Sequence, residues 1–202
     1  NTLKKSFAVS FVIPAFNEAD TIFSVIENLR ENFAGQEIIV VDDASTDDTK
    51  EISIKAGADK VIRHNKNRGP GASFKTGIIH SSGDFVIIVD ADGQHPVEEI
   101  RKVFEYVIKN PQIDAVFTER TNVYSSGIIR STGKILINYV VKRLIEEKIT
   151  DHNCGLRAFR RIKILPFIFM LPDGFSYVTT SLVLAYKEDF CIHWIPIAMK
   201  QR

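Results

Sequence analysis

Residues 84–96 read Asp-Phe-Val-Ile-Ile-Val-Asp-Ala-Asp-Gly-Gln-His-Pro, so five consecutive apolar residues, Phe85 to Val89, run straight into Asp90 and Asp92. Side chains two apart on an extended chain share a face, and two carboxylates so placed can grip one ion together with part of its ligand. Gln94 lies one step further along and offers an amide oxygen. Oxygen donors alone suit a hard divalent cation, Mg2+ or Mn2+. An Asp-x-Asp pair also occurs as a plain capping turn; the buried run before it favours the chemical reading. Two more apolar runs end in polar clusters. Phe7 to Ile13 leads into Pro14, Phe16, Asn17 and Glu18, and Glu37 to Val41 leads into Asp42 and Asp43. On neighbouring parallel strands these ends converge at the carboxyl edge, where ligands of open α/β sheets sit. Crowded carboxylates repel, and a desolvated one is costly unless paired. A cation shared by these acidic ends and a phosphate-bearing ligand is the expected resolution.

The elements that must position these groups follow from periodicity. Up to about residue 120 short apolar runs alternate with amphipathic stretches, the pattern of βαβ units on a parallel sheet. Strands are predicted over 7–13, 37–41, 61–62, 84–89 and 114–117. Helices are predicted after Asp20 as N-cap, with Ile22, Val25, Ile26 and Leu29 on one face, then over 46–56, 71–81 and 96–109 with Pro96 in the first turn. Beyond that the spacing predicts a long helix over 127–148, an apolar stretch over 162–171, a helix over 177–187 and a strand over 191–197. No repeat or linker interrupts the chain, so residues 1–202 are expected to form one α/β domain, and 202 residues suffice for its core. The chain opens on Asn1 and stops at Arg202 just after a strand-like run, so a fragment of a longer protein is expected.

Composition narrows the function. A net charge of +1 argues against a nucleic-acid partner held by bulk charge. The two cysteines, Cys154 and Cys191, fit no metal or redox spacing and read as reduced thiols. No apolar run reaches the ~18 residues of a membrane span, and no signal peptide is evident.

Six segments in order carry a resemblance: VIPAFNEADTI (12–22), IIVVDDASTDDT (38–49), NKNRGPGASFKTGI (65–78), GDFVIIVDADGQHP (83–96), TER (118–120) and DHNCGLRAFRR (151–161). Together they resemble the inverting glycosyltransferases of family 2 with the GT-A fold, and most of all the polyprenyl-phosphate (dolichol-phosphate) mannosyl- and glucosyltransferases. The resemblance implies a Rossmann-like, mostly parallel sheet flanked by helices on both faces. It implies that Pro14, Phe16 and Glu18 line the nucleotide pocket, with Asp43 near the base. Arg68, Gly69 and Gly71 would border the nucleotide or sugar. Asp90 and Asp92 would hold Mg2+ or Mn2+ against the diphosphate, with Gln94 reaching the same ion. Arg120 matches an arginine of a Gly-Ser-Arg-like segment, here preceded by Thr-Glu, and Arg130 matches one that binds phosphate. Asp151 opens a segment in which Cys154 replaces a small hydroxyl residue, and would position the acceptor or act as base. Lys200 and Arg202 begin a basic stretch that approaches the diphosphate and acceptor. His95 and His152 read as exposed or supporting groups, not ligands.

The implied partners are a GDP- or UDP-hexose and a polyprenyl or dolichyl phosphate, at the cytoplasmic face of a membrane. A phosphate acceptor is already largely ionised at neutral pH and needs cations more than a strong base; Arg130, Arg157, Arg160 and Arg161 are the candidates. A saccharide hydroxyl acceptor would instead need a general base, and a non-catalytic nucleotide-sugar-binding module would need no turnover. A dinucleotide-binding oxidoreductase lacks its G-x-G-x-x-G turn here, and a nucleotidyltransferase lacks a glycine-rich, basic signature after the first strand.

Overall fold

The computed structural model describes residues 7–121 and 154–200. The expected helix over 127–148, and with it Arg130, Asp151, His152 and Arg202, lies outside the described residues.

Seven strands form one sheet in the order β3-β2-β1-β4-β6-β5-β7. At its centre lie β1 (Val9–Ala15), β2 (Glu37–Asp42) and β4 (Phe85–Ile88), paired in parallel so that Val12 faces Ile39 on one side and Ile88 on the other. These are the continuous apolar runs, as strands covered on both faces must be. The short strand β3 (Lys60–Arg63) forms the half-exposed edge beside β2. Strand β5 (Ala115–Arg120) pairs in parallel with β7 (Ile192–Ile197).

Period-two alternation divides the core. Phe11 and Ile13 pack with Ile22, Ile26 and Leu29 of α1 (Ile22–Asn32) and with Ile100, Val103 and Val107 of α4 (Val97–Lys109). Val12, Ile39, Val86 and Ile88 face the opposite way, against Phe74 and Ile78 of α3 (Pro70–His80) and Leu182 and Ala185 of α6 (Tyr177–Lys187). The helices therefore cover both faces, as expected. The short α2 (Thr49–Lys55) starts three residues later than predicted, because Asp47 turns back to accept the Thr49 amide at 3.1 Å.

One strand was not anticipated. β6 (Arg157–Arg160) inserts antiparallel between β4 and β5. Its sequence, Arg-Ala-Phe-Arg, offers only two apolar residues and no alternation long enough to read. The short α5 (Arg161–Ile164) and a 3-10 turn (Leu165–Met170) then carry the chain back toward the carboxyl edge.

The amino edge is tied by a half-buried carboxylate. Glu37 accepts the Lys60 ammonium and the Ser82 amide, each at 2.8 Å, and the Ser10 hydroxyl, which in turn accepts the Gly83 amide at 2.9 Å. Burial opposes its ionisation, but hydrogen bonds from Lys60, Ser10 and Ser82 outweigh that and hold the pKa down to about 2. A depressed pKa stabilises the fold above the ordinary carboxylate value of 4.5 and loses that contribution as pH falls from there toward about 2. Glu37→Gln should therefore cost about 1–2 kcal/mol at neutral pH. In urea titrations the gap between the two proteins should shrink steadily below the ordinary carboxylate pKa; a gap independent of pH would refute the assignment.

Candidate active site

At the carboxyl edge the loops after β1 and β2 clamp each other. The Asn17 amide donates to the Ser45 hydroxyl at 2.9 Å, and the Asn17 side-chain oxygen accepts the Thr46 amide at 2.7 Å. The Glu18 amide donates to Thr49 Oγ1 at 2.9 Å, and the Ala19 amide to Asp47 at 3.1 Å. Asn17 takes a φ of 55°, a left-handed turn that asparagine tolerates. Pro14 is half-buried in β1, Phe16 stands exposed on the lip, and Glu18 accepts the Thr21 hydroxyl at 3.0 Å. The residues expected to line the nucleotide pocket thus share one rim.

The two acids after β2 do not converge on a shared cation. Fully buried Asp42 accepts the Ser45 amide at 2.9 Å and pairs with the Arg63 guanidinium at 2.7 Å. Buried Asp43 accepts the Arg68 amide at 2.9 Å, the Gly69 amide at 2.6 Å and His64 Nδ1 at 2.7 Å, while His64 Nε2 meets Thr76 Oγ1 at 2.9 Å. Its carboxylate builds the 64–69 loop. The expectation that every acidic strand end shares one cation is narrowed here: Asp42 and Asp43 are held by their own local donors, which leaves the acids after β4 as the candidates.

That loop ends in a turn only glycine permits. Gly69 takes a φ of 97°, and a methyl on it would meet the Asp173 carbonyl at 2.7 Å. A methyl on Gly71, at the start of α3, would lie 2.2 Å from the Pro172 carbonyl. Residues 172–174 form a strap across this turn. The Asp173 carbonyl accepts the Ala72 amide at 3.0 Å, and the Asp173 carboxylate pairs with Lys75 and, at 3.7 Å, with Arg68.

After β4 the geometry is different. Asp90 Oδ2 lies 3.0 Å from Nε2 of His95, whose ring is buried, and the Asp90 carboxylate remains 39% exposed. Burial disfavours its charge, but the His95 hydrogen bond, the His95 charge and the guanidinium groups of Arg157 and Arg120 prevail and keep it below the usual carboxylate range. Burial, with the Asp90 charge adding, pushes the Tyr177 phenol far up, so Tyr177 is a neutral neighbour. The backbone at Gly155 presses on the same carboxylate: a Cβ there would fall 2.2 Å from Asp90 Oδ2. Asp92 Oδ1 accepts the Gln94 amide at 3.0 Å, and the Gln94 carbonyl accepts the Lys200 amide at 2.9 Å. The chain beyond β7 is thereby brought to the Asp-x-Asp-x-Gln loop, with the Lys200 side chain exposed.

No group of three or more His, Cys, Asp or Glu among the described residues could by itself hold a metal ion. Two half-exposed carboxylates with one amide oxygen nearby match a hard cation only if the ligand brings oxygens of its own, as a diphosphate does. On that condition the donor set fits Mg2+ or Mn2+.

Most expected site residues come together, and some do not. Pro14, Phe16, Glu18, Asp43, Arg68, Gly71, Asp90, Asp92 and Gln94 all stand at the carboxyl edge, and Arg120 ends β5 within electrostatic reach of Asp90. Arg157, Arg160 and Arg161 are not an acceptor cluster. Arg157 is buried, donating to the carbonyls of Val178 and Cys154 and stacked 5.2 Å over Phe117. Arg160 donates to the Ile113 carbonyl and sits over Phe85, and Arg161 turns to the carbonyl of Ile78 at the end of α3, both at the amino edge. Sequence reading missed His64 and undervalued His95. A histidine directly after a strand, and another just past Asp-x-Asp, were the available signals.

The family described as Glycosyl transferase family 2 matches residues 10–165. An undecaprenyl-phosphate 4-deoxy-4-formamido-L-arabinose transferase of Pseudomonas fluorescens is 34% identical over 201 residues, covering 89% of this chain and 57% of its own. Its counterpart in Yersinia pestis is 31% identical over 198 residues, covering 89% and 60%. The chain thus spans less than two thirds of the length of these relatives. Among solved structures, glucosyl-3-phosphoglycerate synthase of Mycobacterium tuberculosis superposes with a TM-score of 0.78 at 22% identity, covering 98% of this chain and 74% of that one. The same enzyme with Mg2+ and uridine diphosphate gives 0.77 at 21% identity, covering 98% and 73%. At that identity the likeness establishes the fold, which is GT-A. The family model spans most of the chain and the relatives exceed 30% identity: the chain belongs to glycosyl transferase family 2.

Proposed function

We propose that this chain is the catalytic part of an enzyme that moves a sugar from a nucleoside-diphosphate sugar to a polyprenyl phosphate with inversion. The observation that carries the reading is the unequal treatment of acids at the carboxyl edge. Asp42 and Asp43 are closed off by their own partners, while Asp90 and Asp92 stay half-exposed and Asp90 is held ionised. Asp90, Asp92 and Gln94 would hold Mg2+ or Mn2+, which when bound supplies a Lewis acid for the departing diphosphate.

The protein's own groups do the rest. The clamped rim of Pro14, Phe16 and Glu18 and the Asp43-built loop with Arg68 form a preorganised donor cradle, so little has to be ordered when the nucleotide binds. His95 and Gly155 fix the Asp90 carboxylate, and Arg120, within electrostatic reach of Asp90, would offset negative charge on the leaving group. A phosphate monoester arrives largely ionised, so the acceptor needs positive charge at the rim rather than proton removal. Lys200 supplies charge among the described residues, and Arg130, Asp151 and Arg202 are assigned here to the acceptor side on the resemblance of their segments.

The lipid acceptor is supported by the names of the relatives, which are undecaprenyl-phosphate transferases. Those names carry 4-deoxy-4-formamido-L-arabinose rather than the mannose or glucose expected from sequence, so the donor proposed is a pentose or hexose on GDP or UDP. Action on a membrane lipid places the work at a membrane surface, which we assign to the cytoplasmic face, and no helix among the described residues is long and apolar enough to cross a membrane.

Incubating the full-length protein with polyprenyl phosphate, Mg2+ or Mn2+ and a panel of labelled nucleotide sugars should move label into the lipid phase with one donor. Label only in soluble saccharide would reject the lipid acceptor. Asp92→Ala should lower transfer by about 10³-fold or more and leave the thermal midpoint essentially unchanged; an active variant would overturn the metal assignment. Gly155→Ala should displace the Asp90 carboxylate and slow transfer by ~10²-fold with the fold intact, and full activity would show that this close approach does not matter.

A further inference from the structure

Three large apolar side chains crowd the segment that carries the strap. Phe169 is 81% exposed, Met170 69% and Phe175 83%, all within seven residues. Soluble surfaces tolerate single exposed apolar residues, but a cluster of this kind marks a contact with something less polar than water. The cluster is also placed with purpose. Between Met170 and Phe175 runs the strap, whose carbonyls at Pro172 and Asp173 sit against Gly71 and Gly69 and whose carboxylate pairs with Lys75. The patch therefore stands at the carboxyl edge, on the rim of the donor cradle. Beside it, Lys66 and Arg68 are exposed on the loop that the strap covers.

We infer that Phe169, Met170 and Phe175 dip into the surface of an anionic lipid bilayer and set the carboxyl edge of the sheet against it. The inference rests on the lipid-phosphate reading and names the surface that reading requires. An acceptor whose phosphate lies at the headgroup level can reach Asp90 and Asp92 only if the rim of the site lies at that level too. Aromatic and long apolar side chains partition into this interface, and neighbouring lysine and arginine gain from its negative potential. Phe-x-x-x-x-x-Phe around a proline–aspartate–glycine turn is a short wedge of this kind, and its backbone is bonded to the turn that shapes the donor site. Ile162 provides an internal contrast: it is 75% exposed but begins at the opposite edge, where Arg161 meets the end of α3.

The test uses the full chain in a Cys191→Ser background, since Cys191 is the exposed thiol and Cys154 is buried. Single cysteines at 162, 170 and 175 are labelled with an environment-sensitive fluorophore and mixed with phosphatidylcholine–phosphatidylglycerol vesicles containing brominated lipid. Labels at 170 and 175 should shift to the blue and be quenched, and the label at 162 should not. The triple variant Phe169→Ser/Met170→Ser/Phe175→Ser should lose transfer to vesicle-borne acceptor by at least about tenfold, with transfer to a short-chain, water-soluble polyprenyl phosphate unchanged. Equal quenching at all three positions, or none at 170 and 175, overturns the proposal. So does a blue shift at 170 and 175 without vesicles, whether fixed, as when another part of the chain covers the patch, or rising with protein concentration, as in self-association. Because quenching is read without acceptor, its failure is separable from failure of the lipid-phosphate reading, which the soluble acceptor tests alone.

Discussion

Mutual repulsion among carboxylates gathered at one sheet edge is the constraint around which this protein is arranged. Three parallel strands end in acids within a few residues of one another, and in a low-dielectric setting such charges cannot coexist without compensation. The fold resolves this unequally. After β2, an arginine, a histidine and three backbone amides absorb two carboxylates and turn them into scaffold. After β4, compensation is incomplete, and charge remains available to a ligand. The division between scaffold acids and working acids is set by which loop folds back over which strand end, not by the residue type.

That division explains what could be read from the sequence. The apolar runs, their alternation with amphipathic helices and the Asp-x-Asp turn were all local, and the central strands and four long helices stand within a few residues of where periodicity puts them. The rim residues followed, because a parallel strand delivers its end to a known edge. What could not be read was long-range. Nothing in the residues near Asp43 says that its oxygens will be filled by amides 25 and 26 positions later. Nothing around Arg157 marks it as a buried hub under Phe117 instead of a phosphate ligand. β6 escaped notice because two apolar residues between arginines carry no period, and its pairing is dictated by the open edges of β4 and β5 rather than by its own pattern.

The same non-local strand supplies much of the precision at Asp90. Gly155 leans on the carboxylate from the approach to β6, while His95 holds it from the loop ahead of α4. Two segments sixty residues apart thus fix one side chain, which is a more rigid arrangement than either could provide alone. The strap over Gly69 and Gly71 repeats the principle: a late segment closes on an early turn through backbone contacts that any side chain would block.

The antiparallel direction of β6 also shapes how such a scaffold can vary. Because β5 ends and β6 begins at the same edge, the chain departs and returns beside itself: the Thr118 hydroxyl meets the Leu156 carbonyl at 2.6 Å. Whatever sequence is spliced between those two points has its ends pinned almost together, and lengthening it adds little closure entropy. The seven-stranded frame can thus keep its register whatever the length of that insertion, a route by which one sheet could come to serve many different recipients.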